Sequence, residues 1–306
     1  MQIGVTTDAA SDITKAEGEK LGVYVVPMYF DLDGESYMEG DHDEAPRDGI
    51  PGLFTREKLF DLQRQDRNVT TSQPRPEDVM QTWRRALGEY EEIIHIPMTE
   101  GLSGSAQEAV MLSHEDEFEG RVHVVCNKRV SVTQRRAVAD AQILAGKGYR
   151  AEEICRILER DAEKNSIYLT TGTLKYLKKG GRVTPAAAAI GSILHIQPIL
   201  SIQKGGKVDA VKLARTPRQG REIMFRELKK DLTERFHDPE GRNCRFATAY
   251  SDDRAMSEEM AEELDAAFPN RFDKEIVISP LNLLLCCHTG YGTYGIAAIP
   301  VCPETL

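Results

Sequence analysis

The sequence lacks the patterns that mark several large classes of protein. Its seven histidines show no H-x-x-x-H or H-E-x-x-H spacing and its six cysteines form no C-x-x-C pair, so we predict no metal site and reduced, mostly buried thiols. No apolar run reaches the length that spans a membrane, since the longest, residues 190–202, is interrupted by His195, Gln197 and Pro198. The chain begins with MQIGV, which is typical of a strand and not of a signal peptide. We therefore expect a soluble, cytoplasmic protein.

An excess of positive charge is also missing. The net charge is −10, which argues against nucleic acid and against stable insertion at an anionic membrane as partners. Hydrophobic residues make up 41% of the 306 residues, so a folded core is expected and not disorder. This length suffices for two domains with cores of their own.

Alternating strand-like and helix-like segments predict the organisation of the first half. Strand-like segments occur at residues 3–7, 23–30, 92–97 and 122–126, and helix-like segments between and after them include 76–89, 105–114 and 130–146. This spacing predicts a mostly parallel sheet covered on both faces. Residues 31–48 are acidic and without a clear period, and we predict irregular structure there.

The pattern changes after a polar junction near residue 165. Helix-like segments at 173–179, 185–193, 219–236 and 257–268 are mixed with a hairpin about Lys204-Gly205-Gly206 and with strand-like segments at 166–170, 245–250, 276–279, 283–287 and 296–299. The predicted fold class is therefore α/β. A larger three-layer domain with a mostly parallel sheet spans residues 1–164, and a smaller α+β domain with a mixed sheet spans residues 165–306.

Two hydroxyl-rich turns give the strongest functional signal. Residues 71–74 (TSQP) and 101–105 (GLSGS) each run into a predicted helix. A helix start offers unpaired N–H groups and partial positive charge, which suit an anion, although an ordinary N-cap gives the same pattern. Because ligands of parallel sheets lie beyond the carboxyl ends of the strands, four side chains are predicted to converge there. They are Asp8, Thr71, Ser72 and Ser103, with a turn or N-cap carboxylate as the alternative for Asp8.

Other motifs leave alternatives open. GLSGS falls one residue short of G-x-S-x-G, so a serine hydrolase or acyl-transfer enzyme using Ser103, His288 and Asp8 is a weak alternative. Residues 290–295 spell G-x-G-x-x-G, but the rest of the chain is too short for a βαβ unit and the motif predicts a close backbone turn headed by His288. Arg182 follows a lysine-rich helix end and its glycine cap. An arginine there suits a phosphate or carboxylate, which makes a sugar- or phosphate-binding regulator a third possibility.

The ordered set of short motifs resembles the DegV family of bacterial fatty-acid-binding proteins. The resemblance covers nearly the whole chain and rests on residues 8–12, 71–74, 102–104, 174–182, 197–200, 215–216 and 288–292. It implies a long-chain fatty acid, such as a sixteen-carbon chain, with the acyl chain held by the larger domain and the smaller domain closing over the headgroup. The residues that match the family's carboxylate-binding positions are Thr71, Ser72, Ser103 and His288, with Arg182, Gly290 and Asp8 in the vicinity of the headgroup.

The same resemblance implies a role in lipid metabolism. The family includes the lipid-carrying subunits of bacterial fatty acid kinases, so it implies a non-catalytic protein that presents its fatty acid to a partner kinase or another lipid-metabolic enzyme. Carriage of this kind needs no cofactor and no metal. Monomer is the default expectation, since no interface signature is visible in the sequence.

Overall fold

The chain folds into two compact units. The computed structural model describes residues 2–38, 55–190, 196–202 and 206–306. The first unit comprises Met1–Glu163, Asn282–Cys287 and Glu304–Leu306, and the second comprises Lys164–Leu281 and His288–Pro303. Three sequence predictions lie wholly or partly outside the described residues. They concern the hairpin residues Lys204 and Gly205, the helix end at 191–193 and the irregular structure at 39–48.

A parallel sheet forms the centre of the first unit. The strands of this unit are β1 (Ile3–Asp8), β2 (Val23–Val26), β3 (Tyr29–Leu32), β4 (Glu35–Met38), β5 (Val69–Ser72), β6 (Glu92–Ile96) and β7 (Val122–Val124). Its helices are α1 (Lys15–Leu21), α2 (Arg56–Arg64), α3 (Pro76–Leu87), α4 (Ser105–Ser113), α5 (Val132–Gly146) and α6 (Ala151–Arg160). Four strands pair in the order β2-β1-β6-β7, and every pairing is parallel, which confirms the prediction.

The central strands bury both faces. Ile94 packs in one core with Ala141 of α5 and Ile154 of α6. Its neighbour Ile93 packs in the other core with Trp83 of α3. Successive side chains of a strand point to opposite faces, so β6 contributes a side chain to each of the two cores. The result is the predicted three-layer arrangement.

A second, antiparallel sheet of three strands was not predicted. Its order is β4-β3-β5. The strand predicted at residues 23–30 is divided into β2 and β3 on either side of Pro27, which has no N–H to donate to a ladder. The prediction of irregular structure is wrong for Asp31 and Leu32, which end β3, and for Glu35–Met38, which forms β4. Asp33 and Gly34 join β3 to β4, both with positive φ, in the manner of a tight hairpin turn.

The second unit contains a mixed sheet, as predicted. Its strands are β8 (Ser166–Thr170), β9 (Gln197–Ile202), β10 (Val208–Ala214), β11 (Cys244–Tyr250), β12 (Val277–Pro280) and β13 (Tyr294–Pro300). They pair in the order β10-β9-β8-β13-β11-β12, with only β11 and β12 parallel. Its helices are α7 (Lys175–Gly180), α8 (Pro185–Ile190), α9 (Pro217–Glu234) and α10 (Arg254–Ala267). Leu228 of α9 and Leu264 of α10 pack in one core with Phe246 of β11.

One predicted strand is a helix. Residues 283–287 lie in α11 (Leu283–Thr289). The side-chain oxygen of Asn282 accepts a hydrogen bond from the backbone N–H of Leu285 at 2.8 Å, which caps the helix start. The prediction was wrong because a short, uninterrupted apolar run has no period that separates a buried strand from a buried helix. None of the helices in the described parts of the chain is long and apolar enough to cross a membrane.

Candidate functional site

Thr71 and Ser72 lie at the end of a strand. Both belong to β5, in which Thr71 is half-buried, Ser72 is exposed, and Thr71 pairs with Phe30 of β3. The N-cap of the following helix α3 is Arg75, which makes no side-chain capping bond. The two hydroxyls are therefore not caps of α3, and the ordinary N-cap alternative for this turn is wrong.

Ser103 lies in the loop that leads from β6 to α4. Its Oγ accepts a hydrogen bond from the backbone N–H of Ser105 at 3.2 Å. Because this bond uses Ser103 as an acceptor, its hydroxyl proton can still be donated. Ser105 adds a buried hydroxyl to the first turn of α4, and its Oγ has no hydrogen-bond partner among the described residues. No role was expected for Ser105 from the sequence.

The two hydroxyl turns meet at Gly104. A β-carbon built on Gly104 would lie 2.1 Å from Nε2 of Gln73, so the Gln73 amide packs directly on this glycine. The structure thus brings the loop after Thr71 and Ser72 against the loop of Ser103. The sequence shows Gln73 within the TSQP turn, but no role in the site was expected for it. The only feature of the sequence that could have indicated a role for Gln73 is its position between the hydroxyl residues and Pro74.

Asp8 is a buried carboxylate at the end of β1. It is 1% exposed and accepts hydrogen bonds from Ala10 N at 3.1 Å, Met98 N at 2.8 Å and Gln134 Nε2 at 3.0 Å. Burial raises the pKa of Asp8 to about 6, although the three hydrogen bonds oppose this effect. These bonds tie the end of β1 to the segment that precedes the Ser103 loop. We therefore assign Asp8 a role in the shape of this loop, which agrees with its turn alternative.

His288 packs on a glycine of the second unit. A β-carbon built on Gly180 would lie 2.4 Å from Nδ1 of His288. The predicted glycine cap of α7 is confirmed, since Gly181 has φ +69 at its C-terminus, and the Arg182 guanidinium donates to the Gly180 carbonyl. Burial, together with a smaller effect of the Arg182 charge, lowers the pKa of His288 to about 4. At neutral pH the imidazole is therefore uncharged and offers one N–H donor.

Gly290 supports the same region through a second close contact. A β-carbon built on Gly290, which has φ +78, would lie 2.6 Å from Cδ2 of Tyr176. The Tyr176 ring also meets Tyr291 edge to face, with ring centroids 6.3 Å apart. The predicted close backbone turn is present. It accounts for the glycine at position 290, and this motif therefore does not require a bound dinucleotide to explain it. Nothing in the sequence signalled Tyr176.

The lowered pKa of His288 predicts how stability depends on pH. The unfolded chain takes up a proton at this residue near pH 6.5 and the folded protein only near pH 4, so the folded state is disfavoured as the pH falls between these values. We expect the wild type to lose about 2 kcal/mol more unfolding free energy between pH 7 and pH 4.5 than His288→Gln, after allowance for partial exposure. Urea unfolding of both proteins at the two pH values measures this difference. If both proteins lost the same unfolding free energy between pH 7 and pH 4.5, the pKa of His288 would not be lowered in the folded protein.

The fold and these contacts define a two-unit α/β protein. One unit holds two touching turns with hydroxyl groups, and the other holds a neutral histidine on a glycine turn. The chain belongs to the DegV family, because the family model described as "uncharacterised protein, DegV family" matches residues 2–301.

Similar proteins extend over almost the whole chain. A DegV domain-containing protein of Deinococcus radiodurans is 28% identical over 98% of this chain and 99% of its own. The solved structure of a fatty-acid-binding DegV family protein from Thermus thermophilus is 30% identical, with a TM-score of 0.84 over 98% of this chain and 100% of that one. DegV of Bacillus subtilis, described as a fatty acid binding protein, is 22% identical with a TM-score of 0.79 over 98% and 99% of the two chains. At 22% identity, the similarity to the Bacillus subtilis structure supports the fold alone.

Proposed function

We propose that this protein binds a long-chain fatty acid and that Thr71, Ser103 and His288 hold its carboxylate. The observation that supports the proposal is the contact between Gln73 and Gly104, which joins the loop after Thr71 to the loop that contains Ser103. The Thermus thermophilus relative, described as a fatty-acid-binding protein, supports this ligand class. We assign the acyl chain to the first unit. Ser72 stands beside Thr71 and is assigned a secondary contact.

The chemistry of these donors suits a carboxylate. Hydroxyl groups and a neutral imidazole donate hydrogen bonds, and a hydrogen bond to a charged group contributes about 1.5–3 kcal/mol. Burial of a sixteen-carbon tail contributes roughly 12 kcal/mol before association and ordering costs. The tail therefore supplies most of the affinity, and the donors fix the polarity and position of the lipid. No cofactor or metal takes part in this scheme.

The proposal includes a non-catalytic role. The protein would present its fatty acid to a partner kinase or another lipid-metabolic enzyme in the cytoplasm, with Arg182 and Gly290 near the headgroup. A serine hydrolase using Ser103 and His288 is the competing proposal. A histidine whose pKa is lowered to about 4 is a weak general base at neutral pH, which weighs against it. Covalent labelling of Ser103 by a fluorophosphonate probe would favour the hydrolase.

Extraction of the purified protein tests the ligand directly. The protein is produced in bacteria, extracted with organic solvent, and the released molecules are identified by mass spectrometry. We expect about one long-chain fatty acid per chain, because a buried tail of this length dissociates slowly. A folded protein that releases no fatty acid, and that takes none up from solution, would contradict the proposal.

A further inference from the structure

We propose that Gln63 is a positioning residue for His288, acting through the helix that carries it. This inference rests on the proposed role of His288 in carboxylate binding. Gln63 lies on α2, far from His288 in sequence, and is 3% exposed. Nothing in the sequence distinguishes it from the other glutamines.

The contacts of Gln63 lie directly before His288. Its Nε2 donates to the backbone carbonyl oxygens of Cys286 at 3.2 Å and Cys287 at 3.1 Å. The last carbonyls of a helix have no partner within it and need donors from elsewhere. Since α11 has only seven residues, its own hydrogen bonds hold its final turn weakly. A buried amide that binds two successive carbonyls therefore fixes the orientation of this turn.

The start of α11 is fixed by a different side chain. The backbone N–H of Asn282 donates to Oδ1 of Asp12 at 2.9 Å, and the Asn282 amide donates to the Ala9 carbonyl. The helix is thus held at both ends by side chains of the first unit. Asp12 fixes where the helix begins, and Gln63 binds the two carbonyls that directly precede His288.

Gln63 also belongs to the segment that carries Thr71. Helix α2 leads into β5, and the Cys287 thiol donates to the Val69 carbonyl of that strand at 3.4 Å. Arg56, also on α2, donates to the Cys286 sulfur at 3.2 Å. One continuous segment therefore carries the Thr71 hydroxyl and holds the helix that leads to His288. Loss of the Gln63 amide removes its two hydrogen bonds to the carbonyl oxygens of Cys286 and Cys287.

The test compares two substitutions that each remove the side-chain amide of a glutamine. Gln63→Met keeps the length of the side chain and removes its donors. Gln142→Met is the matched control, since Gln142 also donates to a backbone carbonyl of the first unit, that of Leu21, at 2.6 Å. We expect the pKa of His288, followed by NMR of labelled histidine, to rise by about 1 toward its ordinary value in Gln63→Met only. We also expect a fluorescent fatty acid to dissociate about 10-fold faster from Gln63→Met.

A third variant separates hydrogen bonding from packing. The carboxyl group of Gln63→Glu donates when protonated and cannot donate when ionised. Burial at this position raises the pKa of the carboxyl group, so its protonated form persists at pH 5 and the fatty acid is expected to dissociate at close to the wild-type rate there. At pH 8 the ionised carboxylate cannot donate and repels the two carbonyl oxygens, so dissociation is expected to be at least as fast as from Gln63→Met. The wild-type rates at both pH values serve as reference.

The possible outcomes separate this inference from the proposed function. If the wild type binds no fatty acid, the proposed function fails, and the NMR titration still decides whether Gln63 positions His288. If the wild type binds fatty acid but His288 titrates alike in Gln63→Met and Gln142→Met, the inference is overturned and the proposed function stands. Rates for Gln63→Glu that do not differ from those of the wild type at pH 8 would also overturn it.

Discussion

Thr71→Ala combined with Ser103→Ala is expected to weaken fatty-acid binding by at least ~100-fold and to leave the protein folded. Each hydroxyl bonded to a charged carboxylate contributes about 1.5–3 kcal/mol, and 1.4 kcal/mol corresponds to a factor of ten. Both residues are only half-buried, so their replacement leaves no large cavity. Competition between the natural ligand and a fluorescent fatty acid measures the dissociation constant. Thermal unfolding of the ligand-free protein tests whether the double variant is folded.

The matched control removes one hydroxyl from the strand that carries Thr71 and one from the helix that follows the Ser103 loop. Thr70 is exposed and precedes Thr71 in β5, and Ser113 lies at the far end of α4, where its Oγ donates to the Val110 carbonyl at 2.8 Å. Thr70→Ala with Ser113→Ala should bind fatty acid as the wild type does. If both double variants bind equally well and both are folded, Thr71 and Ser103 do not hold the carboxylate.

The parallel sheet and its two cores were predictable because each depends on local pattern. Apolar segments separated by helix-like segments fix a parallel sheet, and β6 carries apolar side chains on both faces, as a fully covered strand must. The glycine cap after Lys179 was predictable for the same reason, since Gly181 adopts φ +69 at the helix end. Such features are decided by residues close together in the chain.

The remaining features depend on partners distant in sequence. The strand β5 carries Thr71 because it pairs with β3, and the Asp33-Gly34 turn that begins this sheet lies in an acidic segment without a period. The apolar sequence of α11 is also typical of a strand. The hydrogen bonds from the Gln63 amide to the carbonyls of Cys286 and Cys287 in α11 come from a residue distant in sequence. A sequence shows that Gly104 and Gly290 are glycines, but it does not show that Gln73 and Tyr176 occupy the space of their missing side chains.

Gly290→Ala is expected to destabilise the protein by roughly 2–5 kcal/mol. Residue 290 has φ +78, where an alanine is strained by about 1–2 kcal/mol. The added β-carbon would also lie 2.6 Å from the Tyr176 ring, and overpacking of this kind costs about 1–3 kcal/mol more. Urea unfolding at neutral pH measures the sum.

Gly34→Ala separates the two causes. Gly34 has φ +88, and no atom of the described residues lies within 4 Å of an added β-carbon, so only backbone strain applies there. We expect Gly290→Ala to be the more destabilising by at least ~1 kcal/mol. Tyr176→Ala should be less harmful in the Gly290→Ala background than in the wild type, because it removes the clash as well as the packing. Equal effects of the two glycine substitutions, with additive effects in the double variant, would show that the Tyr176 ring does not require glycine at position 290.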